Sequence, residues 1–254
     1  MSGIEQAVVV ATGFVAGIMT STVGVASLLS FPVLVALGLP PVVANATNTV
    51  GMTPAGLTGS FGYRTELRAH PWVTAAVLGT CGVGSVLGAV LLLALPPGVF
   101  EAVVPWLILG TCLLVGAQPR ISAWLRRSRQ VAAPDAGTRL SGPTTFFSTL
   151  VGVYGGYFGA GSGVMMTAVL GLGSNLEFRS VNALKTLAVM ASNLVASVIF
   201  VFAAELDWRV VVLLAAGSVV GGYVGAHIGR RLNPTVLRSL IVLVGVTAAV
   251  LMLV

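Results

Sequence analysis

Residues 152–163 read Gly-Val-Tyr-Gly-Gly-Tyr-Phe-Gly-Ala-Gly-Ser-Gly. A thinner version, Gly13, Gly17 and Gly24 with Thr20, Ser21 and Thr22 at the turn, stands near the start of the chain. Glycine at this density permits close backbone approach and non-helical turns. Apolar residues flank both stretches, so each predicts a helix broken at membrane depth, where freed backbone groups must be satisfied by protein, water or ligand. The plainer reading, that small residues only let helices pack closely, is preferred for Gly84, Gly88, Gly152 and Gly156. For Ser21 to Gly24 and Gly159 to Gly163 the break itself is the feature of interest.

The rest of the chain agrees with a membrane setting. Of 254 residues, 56% are hydrophobic and only 8% charged, with a mean hydropathy of +1.01. That leaves too little polar surface to cover a water-soluble domain, which carries about 25% charged residues. The net charge of +6 does not indicate nucleic acid, because 7% aromatic content supplies no stacking surface. Cys81 and Cys112 lie in apolar runs without a CxxC or Cys/His cluster, so neither a disulfide framework, a metal site nor a cofactor is expected. The N-terminus has no basic region and contains Glu5, which argues against a cleaved signal peptide.

Ten apolar segments are expected, at roughly 5–22, 25–38, 43–63, 71–95, 99–117, 143–160, 163–175, 183–203, 209–229 and 237–254. The second of each five is too short for a full crossing. The fold class is therefore an all-α integral membrane protein of two homologous halves, 1–117 and 143–254, joined by an Arg-rich linker at 118–142. Gly13, Gly17 and Gly24 align with Gly152, Gly156 and Gly163 at an offset of 139, and Asn45-Ala46 with Asn182-Ala183 at 137. Gly84, Gly88-Ala89, Leu95 and Pro97 fall on Gly221, Gly225-Ala226, Leu232 and Pro234, again at 137. An odd number of crossings per half makes the repeats inverted. With the linker cytoplasmic, eleven arginines then lie inside and Arg209 alone outside, as the positive-inside rule requires, and both termini are outside. Trp72 and Trp208 start corresponding helices and are expected to anchor them at the headgroups.

Lys185, in Asn182-Ala-Leu-Lys185, is the one lysine placed within an apolar segment. Such a residue costs about 2.5–3.5 kcal/mol to insert and is usually functional unless it snorkels to the interface. Asn48 is its repeat counterpart, as Asn45 is that of Asn182. Amide and ammonium donors, the hydroxyls of Ser21, Thr22 and Ser162, and turn amides at Gly24, Gly161 and Gly163 make an expected shell for an oxyanion. Helix N-termini after the breaks add positive potential. No Asp or Glu lies deep in a segment, which disfavours carboxylate-based proton or sodium coupling. His227 reads as an interfacial histidine, and Ser192 and Asn193 either extend the polar path or bond between helices.

The glycine-rich first helices, the Gly155 to Gly163 stretch, the Asn-Ala-Leu-Lys run and the Arg-rich linker resemble the sulfite exporter TauE/SafE family of membrane permeases over nearly the whole chain. Thr20 to Gly24 departs from the glycine-rich turn expected there, although Pro32 is present. The resemblance implies transport of sulfite, a sulfonate or thiosulfate, whereas the residues alone imply a small-anion carrier in the plasma membrane. Three alternatives stand beside it: a passive anion channel, a thiol relay through Cys81 and Cys112, and a non-transporting membrane subunit. Transport direction and oligomeric state are not legible, and a homodimer is compatible with everything read.

Overall fold

The computed structural model describes residues 1–22, 24–129, 140–174, 176–228 and 234–253. Its described elements are helices: α1 (Gly3–Thr22), α2 (Ser27–Ala36), α3 (Pro41–Gly62), α4 (Arg64–Ala69), α5 (Pro71–Ala94), α6 (Pro97–Arg129), α7 (Gly142–Tyr157), α8 (Ser162–Gly173), α9 (Phe178–Ala203), α10 (Trp208–Ile228) and α11 (Pro234–Leu253). Each expected apolar segment is one of them. Five helices, α1, α5, α6, α9 and α10, contain stretches long and apolar enough to cross a membrane, while α2 and α8 are short apolar pieces of 10 and 12 residues. The chain is a multi-pass membrane protein.

Two differences from the sequence reading concern boundaries. Helix α6 does not stop at Ala117 but runs to Arg129, with Pro119 inside it; a proline interrupts one backbone bond without necessarily ending a helix. The linker's first part is thus helical, and residues 130–139 lie outside the described set. Helix α4 was not foreseen, because six residues with two arginines and a glutamate carry no apolar signal.

Small residues decide how the helices cross. An added Cβ on Gly17 would meet the backbone of Ser218 and Gly221, and one on Gly225 that of Ile18, so α1 and α10 run parallel in backbone contact. In the same way Gly84 meets Thr149, Gly88 meets Val153, Gly152 meets Cys81 and Gly156 meets Ser85, so α5 and α7 run parallel. In a bilayer, where apolar burial between helices gains little, such close van der Waals contact is a main source of association.

These contacts also correct the repeat register. Gly17 faces Ser218 and Gly152 faces Cys81; taken with the offset of 137 expected for α5 and α10, these contacts match Gly17 to Gly152, an offset of 135 where 139 is expected. The first helices are therefore shifted by four residues, one helical turn, from the alignment of glycine with glycine.

The equivalent helices α3 and α9, whose starts at Pro41 and Phe178 differ by 137, run antiparallel. Tyr63 bonds to Asn182 at 2.8 Å, while Thr53, nearly three turns earlier on α3, meets Ser197 on α9 at 2.7 Å. Helices α6 and α11 are antiparallel too, with Arg238 donating to Gln118 and Cys112 set against Val242.

Candidate functional site

Two broken helices form the centre. Just beyond α1 stands Gly24, whose φ of 82° is the left-handed region glycine favours and whose N–H reaches back to Met19 O at 2.8 Å. Gly159 follows α7 in the same way, with φ 79° and N–H bonded to Tyr154 O at 2.9 Å. The partner of Gly24 is thus Gly159 and not Gly163, again an offset of 135. Ser27 and Ser162 then open α2 and α8 at equivalent places. Gly161, the residue before α8, is also left-handed at φ 77°, and a Cβ there would run into Thr111 of α6.

Residues the sequence reading passed over hold the second break. The Tyr154 hydroxyl donates to Ala160 O at 2.6 Å and lies 2.9 Å from Thr111 Oγ1, which ties the turn to α6. Phe158 stacks edge-on against Phe31 of α2 and Phe100 of α6, with ring centroids 5.3 and 6.0 Å away. The break is a closely supported turn.

Lys185 joins the two breaks. It is 2% exposed, so it does not snorkel, and it lies in the second turn of α9. A Cβ on Gly24 would sit 3.6 Å from Lys185 Nζ, and one on Gly163 would sit 3.4 Å from Lys185 Cγ and 3.0 Å from Gly24 O. The lysine packs along both glycines, and the tightest approach is between the breaks themselves, Gly163 against Gly24 O. Among the described residues no carboxylate pairs with it and no hydrogen bond holds its ammonium. A buried cation without a partner is expensive unless a ligand or water completes it.

The other expected site residues fall into different arrangements. Asn182, one turn before Lys185, donates to the Tyr63 hydroxyl at 2.8 Å. Asn45 donates to Tyr157 O at 2.9 Å and Asn48 to Ser27 Oγ at 3.2 Å. Each expected amide donor is therefore used by the protein, and what remains open is the opposite kind of atom: Asn45 Oδ1 and Asn48 Oδ1 are buried with no partner. The Thr22 hydroxyl bonds back to Ile18 O and the Ser162 hydroxyl to Gly159 O. The side chains of Ser21 and His227 lie outside the described set. Lys185, Gly24 and Gly163 come together, with Ser162 bonded within its own turn; Asn45 and Asn48 gather instead at the end of α7 and the start of α2.

Ser192 works between helices, its carbonyl accepting from Ser85 at 2.6 Å and its side chain packed on Gly155. Cys81 and Cys112 are buried on α5 and α6, and their thiols face main-chain carbonyls of Ser148 and Val242 on two different helices. Trp72 and Trp208 are exposed at helix starts, as headgroup anchors should be.

Tyr63 and Glu66 were also missed. Glu66 pairs with Arg179 as Tyr63 pairs with Asn182, so the α3–α4 corner is joined to the first turns of α9, on the way to Lys185. Tyr63→Phe leaves the half-buried Asn182 amide without its acceptor and is expected to lower stability by about 1–2 kcal/mol. Glu66→Gln, at a pair whose arginine is 70% exposed, should lower it by under about 1 kcal/mol. Thermal unfolding of the purified variants in detergent reads both.

The comparisons with known proteins agree with this architecture. The family model described as sulfite exporter TauE/SafE matches residues 9–252. A probable membrane transporter protein of Haemophilus influenzae is 27% identical over 93% of this chain and 90% of its own. The probable membrane transporter protein ORF9 of a Sinorhizobium species is 27% identical over 94% and 89%. The probable membrane transporter protein YfcA of Escherichia coli is 24% identical over 90% and 82%. No solved structure gives a significant match.

Proposed function

We propose, for a chain that belongs to the sulfite exporter TauE/SafE family, the role of a secondary carrier for a small sulfur-containing oxyanion such as sulfite, a sulfonate or thiosulfate. It is a membrane transporter rather than an enzyme. The observation that carries the finer reading is Lys185: a buried ammonium with no described partner, set against both helix breaks. An anion there would pair with Lys185 and face the N-terminal end of α8 at Ser162 and Gly163, where the helix dipole is positive. The hydroxyls of Thr22 and Ser162 and the amide of Asn182 complete that shell once they turn from their present partners. Asn45 and Asn48, expected in the same shell, lie apart from it, their donors engaged by Tyr157 O and Ser27 Oγ.

Antiparallel α3 and α9 support inverted repeats, and a pair of domains so related can rock about a central site by alternating access. The arginine distribution supports a cytoplasmic linker and external termini in the cell membrane.

The test is sulfite flux into liposomes holding the purified protein. A carrier gives flux that saturates and accelerates when unlabelled sulfite is trapped on the far side. Flux that rises linearly without counterflow would make the protein a pore. No flux with sulfite, sulfonates or thiosulfate in a folded sample would overturn the substrate class.

A further inference from the structure

The two repeats treat the ends of their broken helices differently. At the end of α1, beside Gly24, stands the ammonium of Lys185, a tethered cation at the negative end of a helix dipole. The equivalent place is the end of α7, where Asn45 donates to the carbonyl of Tyr157, the helix's last residue. Asn48, at the position equivalent to Lys185, contacts Ser27 at the start of α2. A neutral amide thus stands where the other repeat has a charge.

Asn45 and Asn48 are each 1% exposed, and both Oδ1 atoms lack a hydrogen-bond partner. Asn45 cannot turn to relieve this, because Tyr157 O only accepts, so the amide nitrogen must face it and the oxygen must point away. Two buried orphan acceptors lie one helical turn apart, Asn45 beside the negative end of α7 and Asn48 at the start of α2, and unpaired acceptors so enclosed call for a positive group or a donor. Their chemistry narrows its kind. Hard oxygen ligands suit alkali and alkaline-earth ions, and a divalent ion needs carboxylates to balance its charge. No group of three His, Cys, Asp or Glu lies together among the described residues. Broken-helix carriers hold sodium with unwound backbone carbonyls and helix C-terminal ends, and asparagine amide oxygens are neutral ligands of the same hard kind.

We infer that Asn45 and Asn48 form the centre of a sodium-ion site at the α7 break, the exchangeable counterpart of the ammonium that Lys185 fixes at the α1 break. The carboxylate whose absence argued against cation coupling is not required, because the ligands are neutral oxygens.

The experiment is binding of radiolabelled sodium to the purified, detergent-solubilised protein at constant ionic strength in choline chloride, with no sulfur anion present. Saturable binding displaced by unlabelled sodium and not by choline is expected. Asn48→Lys, which places a tethered ammonium where the other repeat has one, should weaken binding by about tenfold or more through like-charge repulsion. Asn48→Asp should tighten it by about tenfold, since ligand charge raises cation affinity, and a gain of binding cannot come from misfolding. Failure of the folded wild type to bind sodium, or binding unchanged in both variants, overturns the site. The anion reading rests on Lys185 and survives that failure.

Discussion

Lys185→Met is expected to reduce sulfite counterflow about a hundredfold, the consequence of losing roughly 3 kcal/mol of charge pairing with the bound anion, while the protein folds as well as before. The second half of that expectation separates a binding lysine from a structural one. Lys185 is buried with no described carboxylate beside it, so its attraction to the end of α1 is set against a larger desolvation penalty, which methionine of similar length removes. The melting temperature in detergent should stay level or rise. Were Lys185 serving chiefly to cap the end of α1 at Gly24, methionine would lower the melting temperature and arginine would preserve it. Arginine keeps the charge but replaces the compact ammonium beside Gly24 and Gly163 with a planar fork of different reach and hydrogen-bond geometry. Lys185→Arg is therefore expected to bind poorly as well. A methionine variant that transports at the wild-type rate removes Lys185 from the site.

That Lys185 would meet both breaks was legible in the sequence, because a lone lysine in an apolar helix and two glycine-rich interruptions are strong, local signals. The apolar segments were legible for the same reason. The register of the first repeat was not. Small residues recur along one face at intervals of about a turn, so a slip of four residues still lays glycine on glycine; only the partners of Gly17 and Gly152 on α10 and α5 settle the match. The orientation of the asparagine amides was equally hidden. The sequence says that Asn45 has both a donor and an acceptor, but which one faces the break depends on Tyr157, 112 residues away. Tyr63, Glu66, Thr111 and Tyr154 went unnoticed because single polar residues near segment ends carry no periodic signal, and their meaning comes from partners on other helices. The polar, Arg-rich stretch after 117 hid the rest of α6, which continues to Arg129.

Gly156→Ala is expected to destabilise the protein by about 3 kcal/mol or more, at the top of the range for overpacking, although alanine is the better helix former. The added methyl would lie 2.7 Å from Ser85 Cα and 2.8 Å from its carbonyl carbon. Those are backbone atoms of a helix whose own Gly84 and Gly88 press on α7 from the other side, so no side chain can swing away and the two helices must part. Parting them would also draw Tyr157 from Asn45 and loosen Gly159, one turn on, so transport should fail along with stability. Gly79→Ala on α5 is the matched control. Nothing lies within 4 Å of where its Cβ would be, and there the intrinsic gain of alanine over glycine, about 0.5–1 kcal/mol, should appear undiminished. Thermal unfolding of the two variants in one detergent decides the matter: opposite shifts support backbone contact between α5 and α7 as the source of cohesion. A Gly156→Ala protein as stable as Gly79→Ala would mean that the two helices do not cross at Gly156 as described.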